Sequence, residues 1–229
     1  MDFQAFRQAA DAEAAALQIR EYELYYQLKE SASASVFRHE ISEVSSASEG
    51  GVCLRCLVNG KMGYASTQLL SEESARALVR RAVENASVLE TSEPEFLVEG
   101  GQNYQSTAAN TAPLPDVTTI RGTALAGQDA LYAQPGVVDG CGTEVFAQRI
   151  CIAIHNSKGL DLQYENTVSG AFLNAIVNDG NPDGEKASNY RFRIGALDKL
   201  DLSTAASEAA NEARESLGAG EVVSKPWIW

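Results

Sequence analysis

A chain of 229 residues, 45% hydrophobic and 21% charged, has the composition of a globular protein large enough to bury its own core. Its 31 acidic against 18 basic residues leave a formal charge of −13, which argues against a surface built for nucleic-acid phosphates. No apolar run approaches the roughly 20 residues that span a bilayer, and the acidic start MDFQAFRQAADAEAAALQ lacks the basic region and apolar core of a signal peptide. The four cysteines, Cys53, Cys56, Cys141 and Cys151, are too sparse for a disulfide scaffold. Three of them sit in apolar, strand-like surroundings, where a free thiol behaves as a small core residue. The cytoplasm is the expected compartment.

Residues 3 to 17 read as a first helix, with Phe3, Phe6, Ala10, Ala14 and Leu17 on its buried side. Ile19 to Lys29 alternates as a strand with Tyr22, Leu24 and Tyr26 on one face. Ser31 to Val44 carries weaker period-two character through Phe37, His39 and Ile41 and is expected as a sheet-edge strand, after which Glu49-Gly50-Gly51 turns the chain. Gly51 to Leu89 then specifies strand, turn, strand and helix most strongly. Asn59-Gly60 suits a type I′ hairpin, whose two central residues need positive φ. Ser71 is placed to cap a helix whose first turn carries Glu72 and Glu73, where the helix dipole favours negative charge. Its apolar stripe is Ala75, Leu78, Val79, Ala82, Val83, Ala86 and Leu89, while Glu72 and Glu84 stand four residues from Arg76 and Arg80.

Residues 90 to 116, rich in proline and glycine, form a linker between a 1–89 unit and a second portion over 117–220. Val117 to Tyr132 is expected as a helix weakened by Gly122 and Gly127. Glu144 to His155 and Leu160 to Val177 are strands joined by a turn at Asn156-Ser157-Lys158-Gly159. Asn178 to Gly184 is a loop, and Tyr190 to Ile194 a strand with Arg191 and Arg193 opposite Tyr190, Phe192 and Ile194. Asp201 to Leu217 is a final helix with Leu202, Ala206, Ala209, Ala213 and Leu217 as its stripe. Residues 221–229 end atypically, with both tryptophans at Trp227 and Trp229, as though a longer protein would continue. Two rounds of helix, antiparallel or mixed strands and flanking helix define an α+β fold.

The residue types that carry chemistry occur in patterns that do not support it. His39 opens HEISE, which has Glu43 where a zinc-protease helix needs its second histidine. His155 precedes a turn. Cys53 and Cys56 have redox-pair spacing, but in a strand residues three apart face opposite ways, and no helix start follows to activate a thiol. Ser157 lacks a nucleophile elbow. Asp179, Asp183 and Glu185 surround a loop whose spacing fails the EF-hand pattern. No catalytic or metal-ligating residue is assigned, and no substrate-binding residue is identified.

GYASTQLLSEESARALVRRAVENAS, starting at Gly63, resembles the hairpin-to-helix passage of the TldD/PmbA family, also called modulators of DNA gyrase. NSKGL at Asn156 to Leu160, leading to Tyr164 and Thr167, resembles that family's second recurrent signature, and the GYAST form is closer to its PmbA (TldE) branch. The resemblance covers most of residues 1 to 220. It implies a cytoplasmic subunit of a zinc-metalloprotease system for proteolysis and peptide maturation, paired with a TldD-like subunit or with itself around a peptide substrate. In the TldD branch an HExxxH helix and a later cysteine, all in the C-terminal half, hold the zinc; this sequence has no HExxxH, so zinc is expected only in a TldD-like partner. The fold implied is the family's N-terminal domain, with the C-terminal domain absent. No nucleic acid or membrane is expected as a partner. The alternative is a truncated, non-enzymatic fragment or protein-binding module.

Overall fold

Asp2 starts the first helix, α1 (Phe3–Ala16), because its carboxylate accepts the Ala5 N–H at 2.8 Å. In this computed structural model residues 1–90, 95–101, 104–105, 107–181 and 183–220 are described. Strands β1 (Glu21–Phe37), β2 (Glu40–Val58) and β3 (Lys61–Thr67) follow, then helices α2 (Glu72–Ser87) and α3 (Val117–Tyr132). Strands β4 (Gly142–Asn156), β5 (Asp161–Asn178) and β6 (Lys186–Ile194) precede helix α4 (Leu202–Glu215). The strands form one antiparallel sheet in the order β3-β2-β1-β4-β5-β6, which makes the fold α+β as the sequence implies.

The chain divides into two compact units. One comprises Met1–Glu30, Ala47–Pro113 and Arg149–Thr167; the other comprises Ser31–Ser46, Leu114–Gln148 and Val168–Trp229. The ending with Trp227 and Trp229 lies outside the described residues, as do parts of the 90–116 linker. In the first unit, Phe6, Ala10 and Ala14 of α1 and Leu78, Val79 and Ala82 of α2 pack with Leu24, Val52 and Leu54. In the second, Ile120, Ala124 and Leu131 of α3 and an alanine stripe on α4 cover Val145, Leu173 and Val177. Each fully buried Leu, Ile, Val or Phe contributes about 1.5–3 kcal/mol.

The β2–β3 hairpin forms as its sequence dictates. Asn59 and Gly60 have φ of 51° and 77°, and Val58 pairs with Lys61. Ser71 caps α2 by accepting from Ser74 N–H at 3.1 Å, and the Ser74 hydroxyl returns to Ser71 N–H to complete a capping box.

Several expectations are corrected. Ser31 to Val44 is not an edge strand: β1 runs unbroken through Phe37, reverses at Arg38-His39 (φ 51° and 64°), and lies inside the sheet. The edges are β3 and β6. Because that turn supplies the reversal, Glu49-Gly50-Gly51 is not a turn and stays within β2. Its glycines answer close backbone approach: a Cβ at Gly50 would lie 2.6 Å from the Gln27 carbonyl oxygen. Leu17 and Leu89 fall past the last turns of their helices and are exposed. Arg80 binds Glu13 of α1 at 2.7 Å, so its partner is on a neighbouring helix and not Glu84. The alternation expected on β6 holds, and its direction, which the alternation alone leaves open, turns the arginines to helix α4: Arg191 and Arg193 pair with Glu208, and Arg191 also with Glu212.

Candidate functional site

Several polar side chains converge at the second signature passage. Asn156 ends β4 with 1% exposure, and all of its amide capacity is used. Its Oδ1 accepts from the N–H groups of Lys158 and Leu160, both at 3.0 Å, which closes the Ser157–Gly159 turn. Its Nδ2 donates to the Val98 carbonyl at 2.8 Å and to Glu23 Oε2 at 3.2 Å. Glu23 in turn receives Arg55 Nε at 2.9 Å, so one chain of polar contacts crosses β2, β1 and β4. Ser157 is held to β1 twice: its N–H donates to Tyr22 O at 2.9 Å, and its Oγ accepts from Tyr22 N–H at 3.1 Å. Both contacts tie Ser157 to the β1 backbone. The NSKGL passage is therefore a structural clasp that pins residues 98–100 to the strand end, where Gly100 N–H also donates to Lys158 O.

Beside the clasp, α1 covers a second polar group. The Tyr22 hydroxyl donates to Asp11 Oδ1 at 2.8 Å, and His155 Nε2 lies 3.5 Å from the same oxygen. Arg7 joins Asp11 to Asp161, reaching Asp161 Oδ2 at 2.8 Å. Burial first, and then the Asp11 contact, pushes the Tyr22 phenol well above its ordinary range, which leaves it a donor at any physiological pH. His155 Nδ1 is buried without a partner. An acid, an imidazole and a phenol meet here, while Ser157 is tied to the β1 backbone. A groove of about 610 Å³ in the same unit is lined by Tyr104, Ile152, Ile154, Leu162, Tyr164 and the carboxylate of Glu165.

The other candidates disperse. His39 sits in the β1–β2 turn and stacks on Tyr132 with ring centroids 3.9 Å apart, while Glu43 lies exposed on β2. The segment that reads as a strand thus begins with a turn residue. Cys56 is buried and Cys53, on the other face, is half-buried; burial raises both thiols, Cys56 to about 11, so neither is an activated thiolate. Cys141 Sγ accepts from Ile176 N–H at 3.1 Å. In the acidic loop Asp179 accepts from Asn181 N–H at 3.0 Å, and Glu185 accepts from Gly218 N–H at 3.0 Å, so these two carboxylates order turns. A protein-bound zinc takes three or four nitrogen, sulfur or oxygen donors. Among the described residues no group of three or more His, Cys, Asp or Glu could hold a metal ion. No helix among them is long and apolar enough to cross a membrane.

Two polar residues that matter to the fold escape a reading by composition. Gln128, fully buried, donates to Cys141 O at 3.1 Å and accepts from Thr143 Oγ1 at 3.3 Å; its place on the α3 stripe between Ala124 and Leu131 was the available signal. Glu13 is buried against Arg80, and nothing in its own segment marks it.

Comparison with known proteins agrees with this geometry. A family profile described as PmbA/TldA metallopeptidase domain 1 matches residues 22–86, and one described as the PmbA/TldA metallopeptidase central domain matches residues 114–217. No curated protein sequence matches the chain. Among solved structures, a Thermotoga maritima protein described as a modulator of a DNA gyrase is 20% identical with a TM-score of 0.84, and the match covers 98% of this chain and 50% of that one. TldE from Thermococcus kodakarensis is 18% identical with a TM-score of 0.74, covering 92% of this chain and 47% of that one. A Bacteroides thetaiotaomicron protein, also described as a modulator of DNA gyrase, is 16% identical with a TM-score of 0.76, covering 96% of this chain and 51% of that one. The chain spans about half the length of these relatives and shares their fold. With both profiles matched in order over most of its length, the chain belongs to the PmbA/TldD metallopeptidase family.

Proposed function

We propose that the chain forms the first and central domains of a PmbA/TldE-like subunit in a cytoplasmic zinc-metallopeptidase system engaged in proteolysis and peptide maturation. In that role it pairs with a TldD-like subunit or with a second copy, helps enclose a peptide and performs no hydrolysis itself. The zinc belongs to the TldD-like partner. The observation that carries the reading is that both family domains are present while the signature residues serve the chain's own fold. Asn156 closes a clasp, Ser157 docks a strand, and Ser71 caps a helix. The two histidines lie in different units and are used in stacking and in a carboxylate contact. The net charge of −13 opposes a nucleic-acid role despite the gyrase-related descriptions of the relatives.

Co-expression with a TldD-like subunit tests this. The expected outcome is a stoichiometric complex whose peptidase activity depends on the partner's metal-binding residues. A chain that purifies without the TldD-like subunit and does not self-associate contradicts the proposal and favours a free-standing binding module.

A further inference from the structure

The second unit is apolar on two faces, and only one of them is covered by its helices. On the helix side, small side chains such as Ala171, Ala175, Ala206 and Ala209 build the core. On the other side Phe146, Phe172, Tyr190, Phe192 and Ile194 form a contiguous patch. The Phe146 and Phe192 rings stack 5.7 Å apart at 8°, and Phe172 and Tyr190 lie 5.1 Å apart. Phe172 is also the direct cross-strand partner of Phe192. Gly170 leaves room for this arrangement, since a Cβ there would lie 3.0 Å from the Phe146 ring and 2.4 Å from the Arg193 carbonyl oxygen. Yet Tyr190 is 57% exposed, Phe192 47% and Ile194 63%. Single exposed apolar residues are ordinary, whereas an ordered aromatic cluster on one face marks an interaction surface.

The family matches indicate what belongs there. All five residues fall within 114–217, the stretch that matches the central domain. The profile matched there is described as a central domain, and the solved relatives are about twice as long as the region matched. We propose that this aromatic face seats the further polypeptide segment that longer family members carry beyond their central domain. The proposal rests on the chain being part of a PmbA/TldE-like subunit. The contact is apolar, because the nearby arginines are turned to the opposite face and paired with Glu208 and Glu212. Its strength therefore depends little on salt.

The test mixes this chain with the half of the Thermotoga maritima relative outside the matched region, supplied as a separate polypeptide, and measures association by calorimetry and sedimentation. That relative's own matched half serves as the positive control. A one-to-one complex is expected, insensitive to salt and weakened at least about tenfold by Phe192→Asp and again by Ile194→Asp. Tyr64→Asp, at the exposed opposite edge of the sheet, leaves it unchanged; circular dichroism verifies that each variant is folded. No complex when the control forms one, a complex indifferent to Phe192→Asp, or self-association that Phe192→Asp abolishes overturns the proposal. Binding to a TldD-like subunit is a separate readout, so either idea can fail without the other.

Discussion

The two edge strands are each backed by a helix, but by opposite means. At β3 the contact is steric: Gly63 lets α2 come so close that a Cβ there would lie 2.0 Å from the Ala82 carbonyl oxygen and 2.8 Å from the Ala86 methyl. At β6 the contact is ionic, with Arg191 and Arg193 reaching Glu208 and Glu212 on α4. An edge strand normally turns its apolar residues inward, and β6 turns Tyr190, Phe192 and Ile194 outward. The first edge is committed to internal packing. The second keeps its aromatics out of the core, available to another polypeptide.

Substitutions at the two edges and at the clasp between them should differ in size accordingly. Gly63→Val forces α2 away from β3 and is expected to cost about 3 kcal/mol, lowering the melting temperature by roughly 6–12 °C in a thermal scan. Asn156→Ala leaves the Lys158 and Leu160 N–H groups and the Val98 carbonyl without their partner, for a loss of about 2–3 kcal/mol in denaturant titration. Ser71→Ala removes the α2 cap and should cost about 1 kcal/mol in the same titration. At the ionic edge, Glu208→Gln is expected to lower the melting temperature slightly and less so at high salt. The Arg193 guanidinium holds the Glu208 carboxyl below its usual range, so its stabilisation is present at neutral pH and is lost as pH falls through that depressed value. The gap between wild type and Glu208→Gln should accordingly close on acidification. Phe192→Asp should cost no more than about 1–1.5 kcal/mol, the worth of its stacking on Phe146 and its cross-strand contact with Phe172, because the ring is not core.

What could be read from the sequence was what local chemistry decides. Asn59-Gly60 announced its hairpin because both residues tolerate positive φ without help. Arg38-His39 adopts the same backbone reversal with residues that do not favour it, and His39 is held by stacking on the distant Tyr132. That contact has no signature in the segment itself, so the reversal was expected at Glu49-Gly50-Gly51 instead. On β6 the alternation was legible but its direction was not, because the glutamates that draw Arg191 and Arg193 inward belong to α4. The Asn156 turn was also legible. Its burial against Val98 was not, since the donor and acceptor lie 58 residues apart. The passages that carried the family resemblance, GYAST with its helix and NSKGL, are the ones the structure uses for packing and clasping.

As proposed, this polypeptide is scaffold and hydrolyses nothing by itself. Purified chain should be incubated with a mixed peptide library, with zinc added and with a chelator, and cleavage followed by mass spectrometry. No cleavage above background is expected in either condition. Zinc-dependent hydrolysis by the chain alone, abolished by the chelator, would contradict the proposal.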